Sequence, residues 1–169
     1  MKLTSFHAVI EALANEGVRY LIAGGLAVNA HGYLRYTKDV DLVIELVTTN
    51  ITKTFLALEQ LGYKPTVPVS ATDFGNPSIR EGWVRDKGMQ VLQFWSDIHR
   101  ETPIDVFVRD PFDFDAEFEH ALTKTLYTHL PVRFVRIPTL IQMKELANRP
   151  QAGSRGYRSA SITNEHGEG

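Results

Sequence analysis

A chain of 169 residues with 43% hydrophobic and 22% charged residues has the length and balance of one water-exposed globular domain with a real core. A net charge of −2, from 18 basic against 20 acidic residues, argues against a broad unspecific grip on a polyanion, although one local basic patch would still serve. The absence of cysteine excludes disulfides, thiolate metal sites and cysteine nucleophiles together.

The first apolar residues, Phe6, Val9, Ile10 and Leu13, recur at helical spacing after a possible cap at Thr4 or Ser5. Glu16-Gly17 ends that helix, and this profile is not that of a secretory signal. No run approaches the roughly 20 apolar residues of a membrane span, so the expected compartment is the cytoplasm. Arg19 to Ala23 reads as a buried strand, Leu26 to Ala30 as a short helix stopped by Gly32, and Val40 to Leu46 as a second strand. Thr49 or Asn50 would cap a helix running to Leu61, with Gly62 as its stop.

Residues 65–88 are rich in proline, glycine and polar residues without a sustained period, and read mostly as loop with a strand near Trp83-Val84. Val91 to Trp95 and Ile104 to Val108 read as strands. A short helix capped by Asp113 or Asp115 runs to Ala121, followed by extended pieces near Thr125–Thr128 and Val132–Val135. Pro138 stands at a first helical position, and the helix continues to about Asn148. From Gln151 the apolar period is lost, and a disordered or loosely attached tail is expected over 151–169. Helices alternating with short strands give an α/β (α+β) class, a mixed sheet flanked by helices in a single domain over 1–150.

The chemistry concentrates between Ala23 and Ile44. Gly24-Gly25 stands at a strand-to-helix junction, where glycine lets backbone amides approach a phosphate. Asp39 and Asp41, at i and i+2 of a strand, project from one face and can share a hard, oxygen-seeking cation. A metal site for phosphoryl chemistry needs carboxylates from a second segment, and Asp105 within Ile104-Asp105-Val106 is the candidate. A charge inside an apolar strand costs several kcal/mol unless paired, so it calls for a reason. The bland alternatives are edge charges facing water at 39 and 41, and an ion pair with Arg109 or another cation at 105. The four acidic residues Asp113, Asp115, Glu117 and Glu119 read as a helix start complementing the dipole. Arg80, Arg85 and Lys87 read as a solvated basic cluster, and Trp83 and Trp95 as packing residues.

These elements in order resemble the DNA-polymerase-β-type nucleotidyltransferase superfamily, whose pattern is a Gly-Gly or Gly-Ser pair, an Asp-x-Asp strand and a lone acidic residue on a later strand. The wording Gly24-Gly25-Leu26-Ala27-Val28, His31-Gly32, Arg35, Thr37, Asp39-Val40-Asp41-Leu42 is similar to its small bacterial members, the minimal nucleotidyltransferases and abortive-infection type II toxins of toxin–antitoxin systems. The resemblance implies that Gly24 and Gly25 contact an NTP triphosphate and that Asp39, Asp41 and Asp105 hold Mg²⁺ or Mn²⁺. Asp105 would also assist deprotonation of an acceptor hydroxyl. Lys144 matches a late-helix lysine that reaches the phosphates, and Arg35 is a further candidate for the nucleotide or acceptor path.

The implied acceptor is a tRNA, a protein or a small molecule, and a cognate toxin or antitoxin is an implied partner. Where many relatives carry Ser at the second position of the pair, Gly25 offers no hydroxyl. Where the small members carry an aspartate after Lys-x-x-Ala-x-Arg-Pro, this chain has Ala152. That departure leaves open a second reading, a non-catalytic binding module or antitoxin on the same fold.

Overall fold

The computed structural model describes residues 1–126 and 129–149; the expected tail and Ala152 lie outside them. The sheet has seven strands: β1 Tyr20–Ala23, β2 Val40–Ile44, β3 Tyr63–Pro65, β4 Val91–Ser96, β5 Ile104–Phe107, β6 Leu122–Leu126 and β7 Leu130–Phe134. Their spatial order is β3-β4-β5-β2-β1-β7-β6. Pairing is mixed: β2 runs parallel to β5 and β1 parallel to β7, while β1–β2, β3–β4, β4–β5 and β6–β7 are antiparallel. β1, β2 and β5 are buried at every position, as expected of strands covered on both faces.

Alternation sends the two sides of each strand into separate cores. On one side Ile22, Leu42, Ile44, Leu92, Phe94, Ile104 and Val106 pack beneath α1 (Leu3–Asn15) and α3 (Thr48–Gln60). On the other, Leu21, Ala23, Val43, Val91 and Phe107 meet Phe114 of α6 (Phe114–His120) and Met143 of α7 (Ile137–Ala147). A short α2, Gly24–Ala30, links β1 to the loop that leads into β2.

Several boundaries differ from the sequence expectation for definite reasons. Asn50 does not cap α3. Its amide accepts from the Arg19 backbone N–H at 2.9 Å and donates to the carbonyls of Arg19 and Glu45 at 3.0 and 2.9 Å, tying the start of β1 to the end of β2. Ser5 does not cap α1 either; it is buried and its hydroxyl lies 2.7 Å from His99 Nδ1. Asp113 does cap α6, accepting from the Ala116 N–H at 3.2 Å.

The larger correction is at 65–88. Instead of loop and a strand near Trp83, the chain forms β3 and two helices, α4 (Ala71–Gly75) and α5 (Pro77–Lys87). Local capping explains them. Ser70 and Asp73 make a reciprocal capping box, and Asn76 caps α5 through the Ser78 N–H with Pro77 in the first turn. Gly88, at φ +62°, takes the left-handed turn that ends α5. The apolar period was thin because α5's buried residue is Arg80, an amphipathic side chain that donates to the Phe74 carbonyl at 2.5 Å. Arg80 therefore leaves the expected basic cluster, and Arg85 is engaged by Asp86 at 3.0 Å.

Candidate active site

The register of the central strands builds the site. Ala23 of β1 lies opposite Asp41 of β2, Asp41 lies beside Asp105 of β5, and Asp105 lies opposite Gln93 of β4. These four residues form one row across four adjacent strands, with side chains on the face covered by α6 and α7. Strand neighbours stand about 4.8 Å apart, which puts the two carboxylates next to one another. Asp39 precedes β2 by one residue and shares Asp41's face by the alternation of extended backbone. The parallel pairing reaches this level, since the Val40 N–H donates to the Pro103 carbonyl at 3.0 Å.

All three carboxylates are withdrawn from water, with exposures of 4% at Asp39, 1% at Asp41 and 0% at Asp105. The bland expectation of edge charges facing solvent is thereby excluded. Burial, then the adjacent charges of Asp41 and Asp39, pushes the Asp105 carboxyl up to about 8; a hydrogen bond from Gln93 Nε2 to Oδ1 at 3.3 Å opposes the rise. Asp39 is also raised, by burial first, with Lys38 and the terminal amine offsetting part of it.

Asp105 Oδ2 is buried with no hydrogen-bond partner. Buried carboxylate oxygens from two adjacent strands, close enough for each charge to disfavour the other, are the donor set a hard divalent cation selects. The residues thus fit such an ion. Among the described residues, no three His, Cys, Asp or Glu side chains already converge into a finished metal cage.

The glycine pair has two different local causes. Gly24 takes φ +61°, a conformation that favours glycine. Gly25 is required by packing, because a Cβ there would stand 2.8 Å from Thr37 Oγ1 and 2.9 Å from Thr37 Cβ. Thr37 thus occupies the space into which a serine at position 25 would extend.

Arg35 lies at this corner as well, with Nε 3.9 Å from that hypothetical Cβ. Its backbone is clamped by Asn29, which accepts from the Arg35 N–H at 2.9 Å and donates to the Arg35 carbonyl at 3.1 Å. His31, at the end of α2, reaches the residue just after β7 through Nε2, 2.9 Å from the Val135 carbonyl. Lys144 is half-buried and follows Met143, which seats α7 on the aspartate side of the sheet.

Two residues escaped the sequence reading. Gln93 is the polar break in Val91–Ser96, and its signal was the alternation that places it beside Asp105 once β4 and β5 are paired. Glu117 stands in the first turn of α6, as expected, but is 3% exposed and receives hydrogen bonds from Arg136 and Thr139 that fix the start of α7.

The sheet and its flanking helices have a nucleotidyltransferase-type fold. No protein-family model matches the chain, and no curated protein matches it in sequence. Among solved structures it is similar to ANT(2")-Ia in complex with adenylyl-2"-tobramycin, with a TM-score of 0.50 and 14% identity over 85% of this chain and 73% of that one. At that identity the likeness is one of fold. No helix among the described residues is long and apolar enough to cross a membrane.

Proposed function

We propose that this chain is a metal-dependent nucleotidyltransferase that moves a nucleoside monophosphate from an NTP to an acceptor hydroxyl. The observation that carries the reading is the adjacent, buried pair Asp41–Asp105 with Asp39 on the same face. A fold held together by its core has no need of three buried like charges, and their mutual repulsion is a standing cost.

Asp39, Asp41 and Asp105 would hold Mg²⁺ or Mn²⁺, which when bound supplies charge neutralisation for the phosphates and the attacking oxygen. The chain's own residues do the rest. The backbone at Gly24-Gly25 receives the triphosphate, with the Arg35 guanidinium beside it as a forked phosphate donor. Lys144 adds a cation from α7. The acceptor oxygen attacks the α-phosphorus, the bond from that phosphorus to the β-bridging oxygen breaks, and pyrophosphate leaves. Asp105, next to the metal and facing the acceptor side, would assist removal of the acceptor hydroxyl's proton. Positioning and charge stabilisation carry the rate, as is general for this chemistry.

A cytoplasmic role within a toxin–antitoxin pair, with a tRNA, a protein or a small molecule as acceptor, follows from the sequence resemblance. The adenylylated tobramycin bound by the structural neighbour is consistent with the small-molecule option by analogy only. A non-catalytic binding module is the second reading, favoured by Ala152 standing where the small members carry an aspartate and opposed by the intact aspartate triplet. Purified protein with Mg²⁺ or Mn²⁺, each α-labelled NTP and lysate fractions separates the two. Label transfer that disappears in Asp39→Asn and Asp105→Asn supports the enzyme, while nucleotide binding without transfer to any fraction supports the module.

A further inference from the structure

The two tryptophans behave differently. Trp83 packs edge-on against Phe74, ring centres 6.0 Å apart, as a packing residue should. Trp95 is 43% exposed although it sits on a sheet strand. Alternation places Trp95 on the face of Gln93 and Val91, the aspartate side of the sheet, two residues or about 7 Å along β4 from Gln93. Its neighbour across the β3–β4 pair is Lys64, which shares that face.

These two side chains line a cavity of about 360 Å³ together with Gly62, Pro65, Thr66 and Asp97. Asp97 is engaged by Arg100 at 3.5 Å, whereas Lys64 has no acidic partner among the described residues. The cavity therefore offers a flat aromatic surface and a lysine, with Asp97, which pairs with Arg100, also in its lining. It opens at the end of β4 that lies level with the start of β5, the same end of the sheet as Gly24 and Asp39.

We propose that this cavity is the acceptor subsite and that the acceptor is a nucleotide: its base stacks on Trp95 and its phosphate rests on Lys64, bringing a ribose hydroxyl toward Asp105. The inference rests on the nucleotidyltransferase reading and narrows its acceptor. A polycationic sugar lacks both features, since it has no aromatic face for Trp95 and its ammonium groups would meet Lys64. Base stacking on an aromatic side chain tolerates any base, and a lysine at the phosphate adds salt dependence.

The experiment uses the full chain and the dinucleotide ApA as probe, with adenosine, ribose 5-phosphate and tobramycin as contrasts. Binding is followed by calorimetry and by the two indole N–H resonances, assigned with Trp95→Phe. The expected result is saturable ApA binding that shifts the Trp95 resonance and leaves that of Trp83 in place. It weakens about tenfold or more in Trp95→Leu, survives in Trp95→Phe, and weakens in Lys64→Ala with loss of salt dependence. In transfer assays Trp95→Leu should raise the KM for a nucleotide acceptor and leave the KM for NTP unchanged.

Tobramycin binding tighter than ApA, or ApA binding indifferent to Trp95→Leu in a variant with wild-type melting temperature, overturns the proposal. Should Trp95→Leu unfold, Lys64→Ala and the indole shift decide it alone. ApA binding without transfer from any NTP would sink the enzyme reading and leave the subsite; transfer unaffected at Trp95 would do the reverse.

Discussion

Two buried acids on the same side of the sheet have opposite electrostatic fates. Glu117 receives the Arg136 backbone N–H at 3.0 Å, the Arg136 guanidinium at 2.9 and 3.2 Å, and the Thr139 hydroxyl at 2.6 Å. Burial alone would raise its carboxyl, but these bonds outweigh it and hold it below the ordinary glutamate range. Asp105 receives one long bond from Gln93, has an oxygen with no partner, faces two like charges and is pushed up to about 8. The first acid is a finished structural joint between α6 and α7. The second is held in a state that only a proton or a cation completes.

That contrast can be broken most directly at the acids themselves. Asp105→Asn should lower label transfer by at least about 100-fold, in keeping with loss of a group that stabilises transition-state charge. In the metal-free protein the same change should raise the melting temperature at pH 8, because it removes a buried charge without changing shape. A lower melting temperature there would put Asp105 in the same class as Glu117. Glu117→Ala should destabilise the fold by about 2–4 kcal/mol in denaturant titration, since it strips the joint and leaves buried donors unanswered.

The pH dependence sharpens the comparison. With a native value about 8 against roughly 3.9 unfolded, Asp105 binds a proton in the folded state that the unfolded chain releases between those values. Stability of the metal-free chain should therefore fall as pH rises from about 4 to 8, and saturating Mn²⁺ should flatten that slope. Glu117, lowered on folding, contributes in the other direction: its stabilisation is present above the ordinary glutamate value and is lost as pH drops below it. The smallest effect is expected at Gln93→Ala. Loss of its bond to the ionised carboxylate should move the acidic limb of the activity–pH profile upward, with a change of only a few-fold at the optimum.

The sequence made the glycine pair, Asp41 and Asp105 visible because each interrupts an apolar run where a charge or a bare backbone is costly, and Asp39 through its two-residue spacing from Asp41. Their meeting depends on strand pairing, which no local pattern states: β2 and β5 are neighbours although 59 residues separate Ile44 from Ile104 and two strands and three helices intervene. The helices α4 and α5 were hidden for another reason. Their ends are written in Ser70, Asn76, Pro77 and Gly88, all of which also read as loop, and their buried face includes an arginine. Glu117 does stand in the first turn of α6, as its spacing indicates, but spacing does not show what packs over it. Thr37 stood out in the sequence only as part of the resemblance; its packing against Gly25 appears only where the loop closes.

The strands that carry Asp41 and Asp105 are interior ones, with three more on one side of β2 and three on the other. Backbone amides in such a position exchange with solvent mainly when the whole molecule opens, whereas the β6–β7 hairpin at the margin can fray by itself. Heat should consequently abolish metal affinity in a single step that coincides with overall melting, and amide exchange at Leu42 and Val106 should be slower than at Lys124 or any other position of that outer hairpin.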